Sequence, residues 1–179
     1  MTETLDAGQI TLERWTVDRA EDLDRAIRES LPELRAFMFW AGADHDFDAT
    51  KGYLERSRDE WDNGENYNYA MLTAEGEVVG SCGLMSRQGP GVLEIGYWVH
   101  SAHAGKGYAT AAALALTEAG LAWPGIDRVE IHHDVDNPAS GRVAAKAGFR
   151  ELGPVEAERK APRDSRTHLV WACSRQHST

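Results

Sequence analysis

The stretch Ala104-Gly105-Lys106-Gly107-Tyr108-Ala109-Thr110 decides how the rest of the chain is interpreted. It is a glycine-rich turn that runs directly into an alanine- and leucine-rich segment typical of a helix. Upstream, residues 93–99 (Leu-Glu-Ile-Gly-Tyr-Trp-Val) make a good strand candidate. A strand, a glycine turn and a helix together offer backbone N–H groups and the positive end of a helix to a phosphate. The turn therefore indicates an anion site, although an ordinary loop before a helix is equally compatible with these residues.

The spacing of the glycines excludes the better-known phosphate loops. A P-loop needs Gly-x-x-x-x-Gly-Lys-Ser/Thr, whereas Lys106 lies between two close glycines. The dinucleotide fingerprint Gly-x-Gly-x-x-Gly needs a third glycine, and that position is Thr110. The turn therefore belongs to neither of these two classes of phosphate loop.

A second stretch, residues 136–149 (Asp-Asn-Pro-Ala-Ser-Gly-Arg-Val-Ala-Ala-Lys-Ala-Gly-Phe), favours the functional interpretation. Together the two stretches resemble the GNAT superfamily of acyl-CoA N-acyltransferases, in the branch that contains the RimJ/RimL-type enzymes. In that branch a Gly-Lys-Gly-Tyr-Ala-Thr turn binds the coenzyme A pyrophosphate, and a following Asn-x-x-Ser with a later Gly-Phe completes the coenzyme site. The resemblance covers residues 70–171. It implies an α/β (α+β) GNAT fold whose central sheet is mixed, mostly antiparallel and flanked by helices.

The resemblance also implies which residues bind acetyl-CoA, the acyl donor. They are Tyr97, Trp98, Val99, Ala104, Gly105, Lys106, Gly107, Tyr108, Ala109, Thr110, Asn137 and Ser140. The first motif of the family usually begins with Gln or Arg where this chain has Ala104. A side-chain contact to the coenzyme is therefore missing at that position, while a backbone cradle can persist.

Composition predicts one globular domain over residues 1–179, because a chain that is 42% hydrophobic and 27% charged can bury a core of its own. No apolar run is long enough to span a membrane, and the first residues lack the features of a signal peptide. We therefore expect a cytoplasmic protein with no membrane partner. Cys82 and Cys173 lie in apolar, strand-like segments, which favours buried free thiols over a disulfide or a metal site.

The net charge of −10, from 29 acidic and 19 basic residues, disfavours nucleic-acid binding, which needs a basic surface. The same charge is compatible with a cationic substrate, because an acidic field concentrates cations, and equally with simple solubility. Asp44, His45 and Asp46 alternate in an acidic loop, but no paired metal-ligand motif lies nearby, so we expect no metal site. Asp48 is the predicted N-cap of the next helix. The candidate contacts for a cationic substrate are Asp44, Asp46, Asp59, Glu60 and Asp62.

The periodicity of the chain predicts the order strand, two helices, three strands, helix, strand, helix and two strands. Pro32 is expected to break the first helix or to start a new one. Gly96 is expected to mark a bulge that opens the sheet so that the pantetheine arm can enter.

Acylation of an amine requires a neutral amine, and holding a lysine-like amine neutral at pH 7 costs about 4.6 kcal/mol. Glu94 is our first candidate for the general base, because the family often places a glutamate on the strand before the phosphate turn; a purely structural carboxylate is the alternative. His132, His133 and Asp134 on the next strand follow as candidates. Strand alternation puts His132 on one face with Glu130 and His133 on the other, so only one histidine can face the cleft, and a structural histidine is the alternative for either.

The departing thiolate needs a proton donor, and the resemblance favours Ser140, for which a helix-capping role is the alternative. Asn137 would orient the pantetheine arm. The thioester carbonyl would accept a hydrogen bond from a backbone N–H of the Tyr97–Val99 strand.

These considerations predict an N-acetyltransferase that moves an acetyl group from acetyl-CoA to a primary amine. The acceptor would be a small cationic molecule, such as an aminoglycoside-type antibiotic or a polyamine, or a protein N-terminus. A non-catalytic sensor module that binds acyl-CoA is the alternative, and Ala104 keeps it open. A homodimer is possible, although no exposed apolar stripe in the sequence identifies an interface.

Overall fold

The computed structural model describes residues 1–42, 45–158 and 160–175, so the predicted substrate contact at Asp44 lies outside the described residues. The elements in chain order are β1 (Thr4–Asp6), β2 (Thr11–Arg14), α1 (Ala20–Phe37), α2 (Phe47–Asp62), β3 (Asn66–Leu72), β4 (Val78–Met85), β5 (Val92–Val99), α3 (Tyr108–Ala122), β6 (Arg128–Asp134), α4 (Pro138–Lys146), β7 (Arg150–Glu156) and β8 (Thr167–Ser174). The predicted order is confirmed, with β1 as an additional short strand at the sheet edge.

All the strands join one eight-stranded sheet in the order β1-β2-β3-β4-β5-β6-β8-β7. Every neighbouring pair is antiparallel except β5 and β6, which run parallel. The parallel pair follows from the connection between these two strands, since α3 carries the chain back to the end of the sheet where β5 began. The predicted mixed, mostly antiparallel sheet is confirmed.

The sheet opens between β5 and β6. Their pairing ends at Ile95 and Ile131, yet β5 continues along β4 as far as Val99, and β6 continues along β8 as far as Asp134. We call the gap between residues 96–99 and residues 132–134 the fork. The opening was expected near Gly96, but the expected bulge was wrong, because β5 keeps an uninterrupted register with β4 through Gly96.

Helices cover both faces of the sheet and enclose two clusters of buried apolar residues. One cluster includes Leu116 of α3, Ala144 of α4, and Leu93 and Ile95 of β5. The other lies under α1 and α2, and the half-buried Trp98 packs against it. Residues with odd numbers on β5 therefore face α3 and α4, and residues with even numbers face the side of α1 and α2.

Two predictions about the helices were wrong. Pro32 lies inside a continuous α1. Burial of Ile27 and Leu34, one on each side of the proline, offsets the hydrogen bond that a proline removes. The N-cap of α2 is Asp46, whose Oδ1 accepts the N–H of Ala49 at 2.8 Å, while Asp48 already lies in the first turn.

Both cysteines are free thiols; Cys82 is buried and Cys173 is half-buried. Burial raises the pKa of the Cys82 thiol. Among the described residues, no helix has both the length and the apolar character needed to cross a membrane.

Candidate acyl-transfer site

The glycine turn has the conformation that the sequence predicts for a cradle. Gly105 and Gly107 have φ angles of 79° and 87°, a region that favours glycine. A Cβ at either position would meet nothing within 4 Å. Glycine is therefore required here for its backbone angles, and the turn is open to solvent.

A row of backbone donors lies along this turn. The first hydrogen bond of α3 runs from the N–H of Ala111 to the carbonyl of Gly107 at 3.0 Å, and Gly107 caps the helix without a side chain. The N–H groups of residues 105–110 find no acceptor in the part of the chain that the structure describes. Together with the positive end of α3, they form a site for a phosphate group.

Lys106 is positioned beside this row by a histidine that sequence reasoning missed. Its ammonium donates to Nδ1 of His103 at 3.1 Å, because an ammonium can only donate. Nε2 of His103 then carries the proton and donates to Glu77 at 3.2 Å. The spacing of His103 three residues before Lys106, in a short helical turn, was the available signal.

The backbone of β5 offers further donors inside the fork. His100 donates its N–H to the carbonyl of Val79 on β4 at 2.9 Å. Because N–H directions alternate along a strand, Tyr97 and Val99 turn their N–H groups away from β4, towards β6. Beyond Ile95 the ladder with β6 has ended, so these groups point into the gap.

A hydroxyl pair spans the fork on the side of α3 and α4. The hydroxyls of Tyr97 and Ser140 lie 2.7 Å apart. Burial raises the pKa of Tyr97 to about 12, although its hydrogen bond with Ser140 acts in the opposite direction. Asn137 is the N-cap of α4, since its Oδ1 accepts the N–H of Ser140 at 3.3 Å. Sequence reasoning assigned only the backbone of Tyr97 to the site and missed its hydroxyl.

His133 faces the same side, but its hydrogen bonds occupy both ring nitrogens. The indole N–H of Trp171 donates to Nε2 at 3.0 Å, so Nε2 must accept. Nδ1 therefore carries the proton and donates to the carbonyl of Asp134 at 2.8 Å. The ring is buried, and a Cβ on Gly141 of α4 would lie 3.0 Å from it. This is a structural histidine without a free lone pair for proton transfer.

Glu94 lies on the opposite face, beside Gly96, and is almost completely buried. Arg87 holds the carboxylate through two hydrogen bonds, one from Nε at 2.8 Å and one from Nη2, and Gln88 adds a third. Burial alone would raise the pKa of Glu94, but the hydrogen bonds and charge of Arg87 outweigh it, and with Gln88 and His132 they hold the pKa below its usual value. This ionised carboxylate, which accepts three hydrogen bonds, is a weak proton acceptor.

Glu130 and His132 share that face on β6. Nε2 of His132 lies 2.7 Å from Oε2 of Glu130, and Arg128 donates its Nε to Oε1 at 2.6 Å. Burial would raise the pKa of Glu130, but the hydrogen bonds from His132 and Arg128 lower it below its usual value. Glu94 and Glu130 are direct neighbours in the parallel register, so the fork begins beside two buried carboxylates.

The surroundings of this face combine aromatic and charged side chains. Trp98 lies on β5 beyond Gly96 and packs against Trp40 with a centroid distance of 6.1 Å. The hairpin loop before β8 joins the end of α1 through the N–H of Arg163 and the carbonyl of Ala36, at 3.1 Å. A groove of about 640 Å³ lies next to this loop at the end of β6, lined by Asp136, Pro162, Arg163, Asp164, Ser165 and Arg166.

Two groups of acidic and histidine side chains among the described residues, one at His45 and one at Asp134, make structural contacts. His45 contacts Thr50 at 3.1 Å and lies 3.6 Å from Asp24, so it joins α1 to α2. Asp134, Asp164 and His168 also lie close together. Asp134 accepts hydrogen bonds from Asp136 and Ser165 through both its oxygens, so this group fastens the loop to β6.

The predicted site residues thus fall into two groups. The turn, Tyr97, Val99, Asn137 and Ser140 lie around the fork on the side of α3 and α4, while the side chains of Glu94 and Trp98 face the other side. Sequence reasoning did not identify Glu130 as the hydrogen-bond partner of His132, although strand alternation places both side chains on one face.

Comparison with known proteins agrees with this architecture. Residues 9–150 match the family profile described as "Acetyltransferase (GNAT) domain". An uncharacterised N-acetyltransferase p20 of Bacillus licheniformis is 26% identical over 161 residues, 89% of each chain. The uncharacterised protein YkkB of Bacillus subtilis (strain 168) is 36% identical over 93 residues, which are 49% of this chain and about half (54%) of that relative.

Solved structures with the same fold include a RimL ribosomal L7/L12 α-N-protein acetyltransferase in complex with coenzyme A. Its superposition on this chain has a TM-score of 0.87 at 19% sequence identity, and the match covers 96% of this chain and 98% of the RimL chain. The microcin C7 self-immunity acetyltransferase MccE, in complex with acetyl-CoA and AMP, has a TM-score of 0.86 at 21% identity. The match covers 94% of this chain and 93% of that chain. RimJ of Mycobacterium smegmatis has a TM-score of 0.81 at 24% identity, and the match covers 95% of this chain and 84% of that chain.

Proposed function

Because the chain belongs to the acetyltransferase (GNAT) domain family, we propose that it moves an acetyl group from acetyl-CoA to a primary amine. The acceptor is the amine of a small cationic molecule, such as an aminoglycoside-type antibiotic or a polyamine, or a protein N-terminus. One observation supports the proposal most directly. The backbone N–H groups of residues 105–110 have no acceptor among the described residues, and they follow β5, the strand at which the sheet opens.

In this proposal the donor lies on the side of α3 and α4. The N–H groups of residues 105–110 hold the pyrophosphate, and Lys106 adds a positive charge at the rim. Ala104 contributes no polar side chain, which a backbone cradle does not need. The thioester enters the fork, where the N–H groups of Tyr97 and Val99 polarise its carbonyl.

The reaction is a direct transfer from donor to amine. The amine nitrogen attacks the thioester carbon, the new C–N bond forms, and the C–S bond breaks. The thiolate takes a proton from the Ser140 hydroxyl, whose partner Tyr97 lies 2.7 Å away and replaces the proton through the hydroxyl pair. The hydroxyl pair regains a proton from solvent, and the amine gives one up on the other face.

The acceptor approaches from the face of Glu94 and His132, where the amine gives up its proton. The net charge of −10 supports a cationic acceptor, since it raises the local concentration of cations. Trp40 and Trp98 supply an aromatic wall on that face, on which a protonated amine or its apolar frame can pack.

The experiment is a panel assay of thiol release from acetyl-CoA with N-terminal peptides, polyamines and aminoglycosides, with calorimetry of acetyl-CoA binding alongside. We expect binding, and turnover with one class of amine. Absence of acetyl-CoA binding would refute the donor site.

The second candidate function, a sensor that binds acyl-CoA without turnover, is supported by Ala104 at the position of a usual coenzyme contact. The variant Ser140→Ala separates the two functions. An enzyme loses rate in this variant while it keeps its coenzyme affinity, whereas a sensor binds the coenzyme and has no rate with any amine of the panel. The possible homodimer stays a prediction.

A further inference from the structure

Of the two histidines on β6, His132 is the one with a ring nitrogen that makes no hydrogen bond to the described residues. Its Nε2 lies 2.7 Å from a carboxylate oxygen of Glu130. A carboxylate held ionised by Arg128 can only accept, so Nε2 carries a proton and donates it. In the neutral ring the lone pair is then on Nδ1, which has no partner among the described residues.

His132 lies at the start of the fork. It is the first residue of β6 beyond the last pair with β5, and continuation of the register would bring it opposite Gly96. Gly96 itself therefore adds no side chain between the ring and the gap. A Cβ at Gly96 would lie only 2.8 Å from Cε of Met85 on β4. The packing of Met85 therefore also favours glycine at this position.

The other candidate base has neither property. Glu94 has both oxygens in hydrogen bonds to Arg87 and Gln88, and it lies in the row where β5 and β6 are still paired. His133 points to the opposite side and uses both nitrogens. Of these side chains, His132 alone combines an available lone pair with a place at the gap.

We propose that His132 is the general base of the transfer, with Glu130 as the positioning residue that fixes its tautomer and stabilises its protonated form. This inference rests on the proposed function. As the amine nitrogen bonds to the thioester carbon, Nδ1 of His132 takes the N–H proton and the ring becomes imidazolium. The imidazolium returns that proton to solvent, while the departing thiolate is protonated from the hydroxyl pair on the other face.

Charged and titratable side chains lie on the strand of His132 and on the elements beside it. They are Glu130, Arg128 and Asp134 on β6, Glu94 on β5, Arg87 in the loop before β5, Asp164 in the loop before β8, His168 on β8 and Arg150 on β7. Val170 is the direct neighbour of His132 on β8, so the contact of the ring with a carboxylate comes from its own strand. The carboxylate of Glu130 favours the imidazolium, because an opposite charge stabilises a charged ring.

The first test needs no activity. Nitrogen-15 NMR of the imidazole rings of the whole protein, assigned with His132→Gln, reports the tautomer above the midpoint of its titration. We expect the Nε2–H tautomer with an unprotonated Nδ1. An Nδ1–H tautomer would overturn the proposal even if no amine of the panel were turned over.

The second test is the pH dependence of kcat/KM with an amine that the enzyme accepts. We expect His132→Gln to lower kcat about 10²–10³-fold and to remove the ascending limb of the profile, with acetyl-CoA affinity unchanged. In Glu130→Gln the new amide can donate as well as accept, so the ring is no longer held in one tautomer; the NMR measurement should show this change and kcat should fall. His168→Gln, on β8, is the matched control and should retain the original profile.

The outcomes separate this inference from the proposed function. Turnover by the unchanged protein supports the function, and an unaltered pH profile in a folded His132→Gln variant then refutes the base assignment alone. An unchanged tautomer of His132 in Glu130→Gln refutes the positioning role. A protein without turnover on any amine refutes the proposed function, and the NMR result still decides whether the lone pair of His132 is available.

Discussion

Replacement of Gly107 by alanine tests whether the turn before α3 binds the donor through its backbone. Gly107 has a φ of 87°, and a Cβ there would meet no atom within 4 Å. The substitution therefore introduces no collision and leaves the side-chain contacts of the turn as they are. Its only direct effect is on the backbone, which an L-residue prefers to move out of this conformation.

The expected magnitude follows from that preference. An alanine in the left-handed region is disfavoured by about 1–2 kcal/mol relative to glycine. If the free turn relaxes, the N–H groups of residues 105–110 diverge, and binding must restore the original backbone. The dissociation constant of acetyl-CoA should then rise by about 5–30-fold, since 1.4 kcal/mol corresponds to a factor of ten.

Gly125 provides a matched control. It has a φ of 81°, and a Cβ there would also meet nothing within 4 Å. It lies beyond the other end of α3, whose 15 residues separate it from the turn by about 22 Å. Calorimetry of acetyl-CoA binding and thermal unfolding should be measured for both variants. We expect a similar, small loss of stability in both and weaker binding only in Gly107→Ala; equal affinities would refute the backbone cradle.

Further predictions concern the hydroxyl pair, the buried carboxylates and the cap of α2. Tyr97→Phe and Ser140→Ala should each lower kcat, by up to about 10²-fold for Ser140→Ala, in steady-state thiol release with little change in acetyl-CoA affinity. Glu94 and Glu130 have pKa values held below 4.5 in the folded protein, so their stabilising contribution is present above that pH and is lost as the pH falls below it. Urea unfolding across this range should show a weaker pH dependence in Glu94→Gln than in the unchanged protein, and equal slopes would contradict the assignment. Asp46→Ala should lower the free energy of unfolding by about 1 kcal/mol through loss of the N-cap, and Asp48→Ala by clearly less.

Features set by local backbone chemistry could be predicted from the sequence. The phosphate turn is one, because glycine is needed wherever φ is positive, and both glycines of the motif have such angles. The cap at Asn137 is another, since an asparagine before a proline at the first helical position is a strong N-terminal signal. Strand alternation also placed His132 and Glu130 on one face.

Features that depend on contacts between distant segments could not be predicted. The hydroxyls of Tyr97 and Ser140 are 43 residues apart in sequence, and only the packing of α4 beside the fork brings them together. The shift of the cap from Asp48 to Asp46 reflects competition between two acceptable N-cap residues. The ion pair of Arg87 with Glu94 depends on how the hairpin before β5 folds back, and it changes the expected chemistry of the carboxylate.

The opening of the sheet shows how a correct location can be predicted for the wrong reason. A glycine inside a strand suggested a bulge at Gly96. The structure opens the sheet there because β5 stays with β4 and β6 stays with β8, so the parallel pair ends at Ile95 and Ile131. Which of two ladders persists is decided by the packing of whole elements, and no local pattern in β5 contains that information.

The most direct test of the central claim is a proton–nitrogen NMR titration of the labelled protein with acetyl-CoA. If residues 105–110 hold the pyrophosphate, their amide signals should show the largest changes and should become protected from exchange with water. The amides around Gly125 should stay unchanged. Saturating acetyl-CoA that leaves the amides of residues 105–110 unshifted and unprotected would contradict the account.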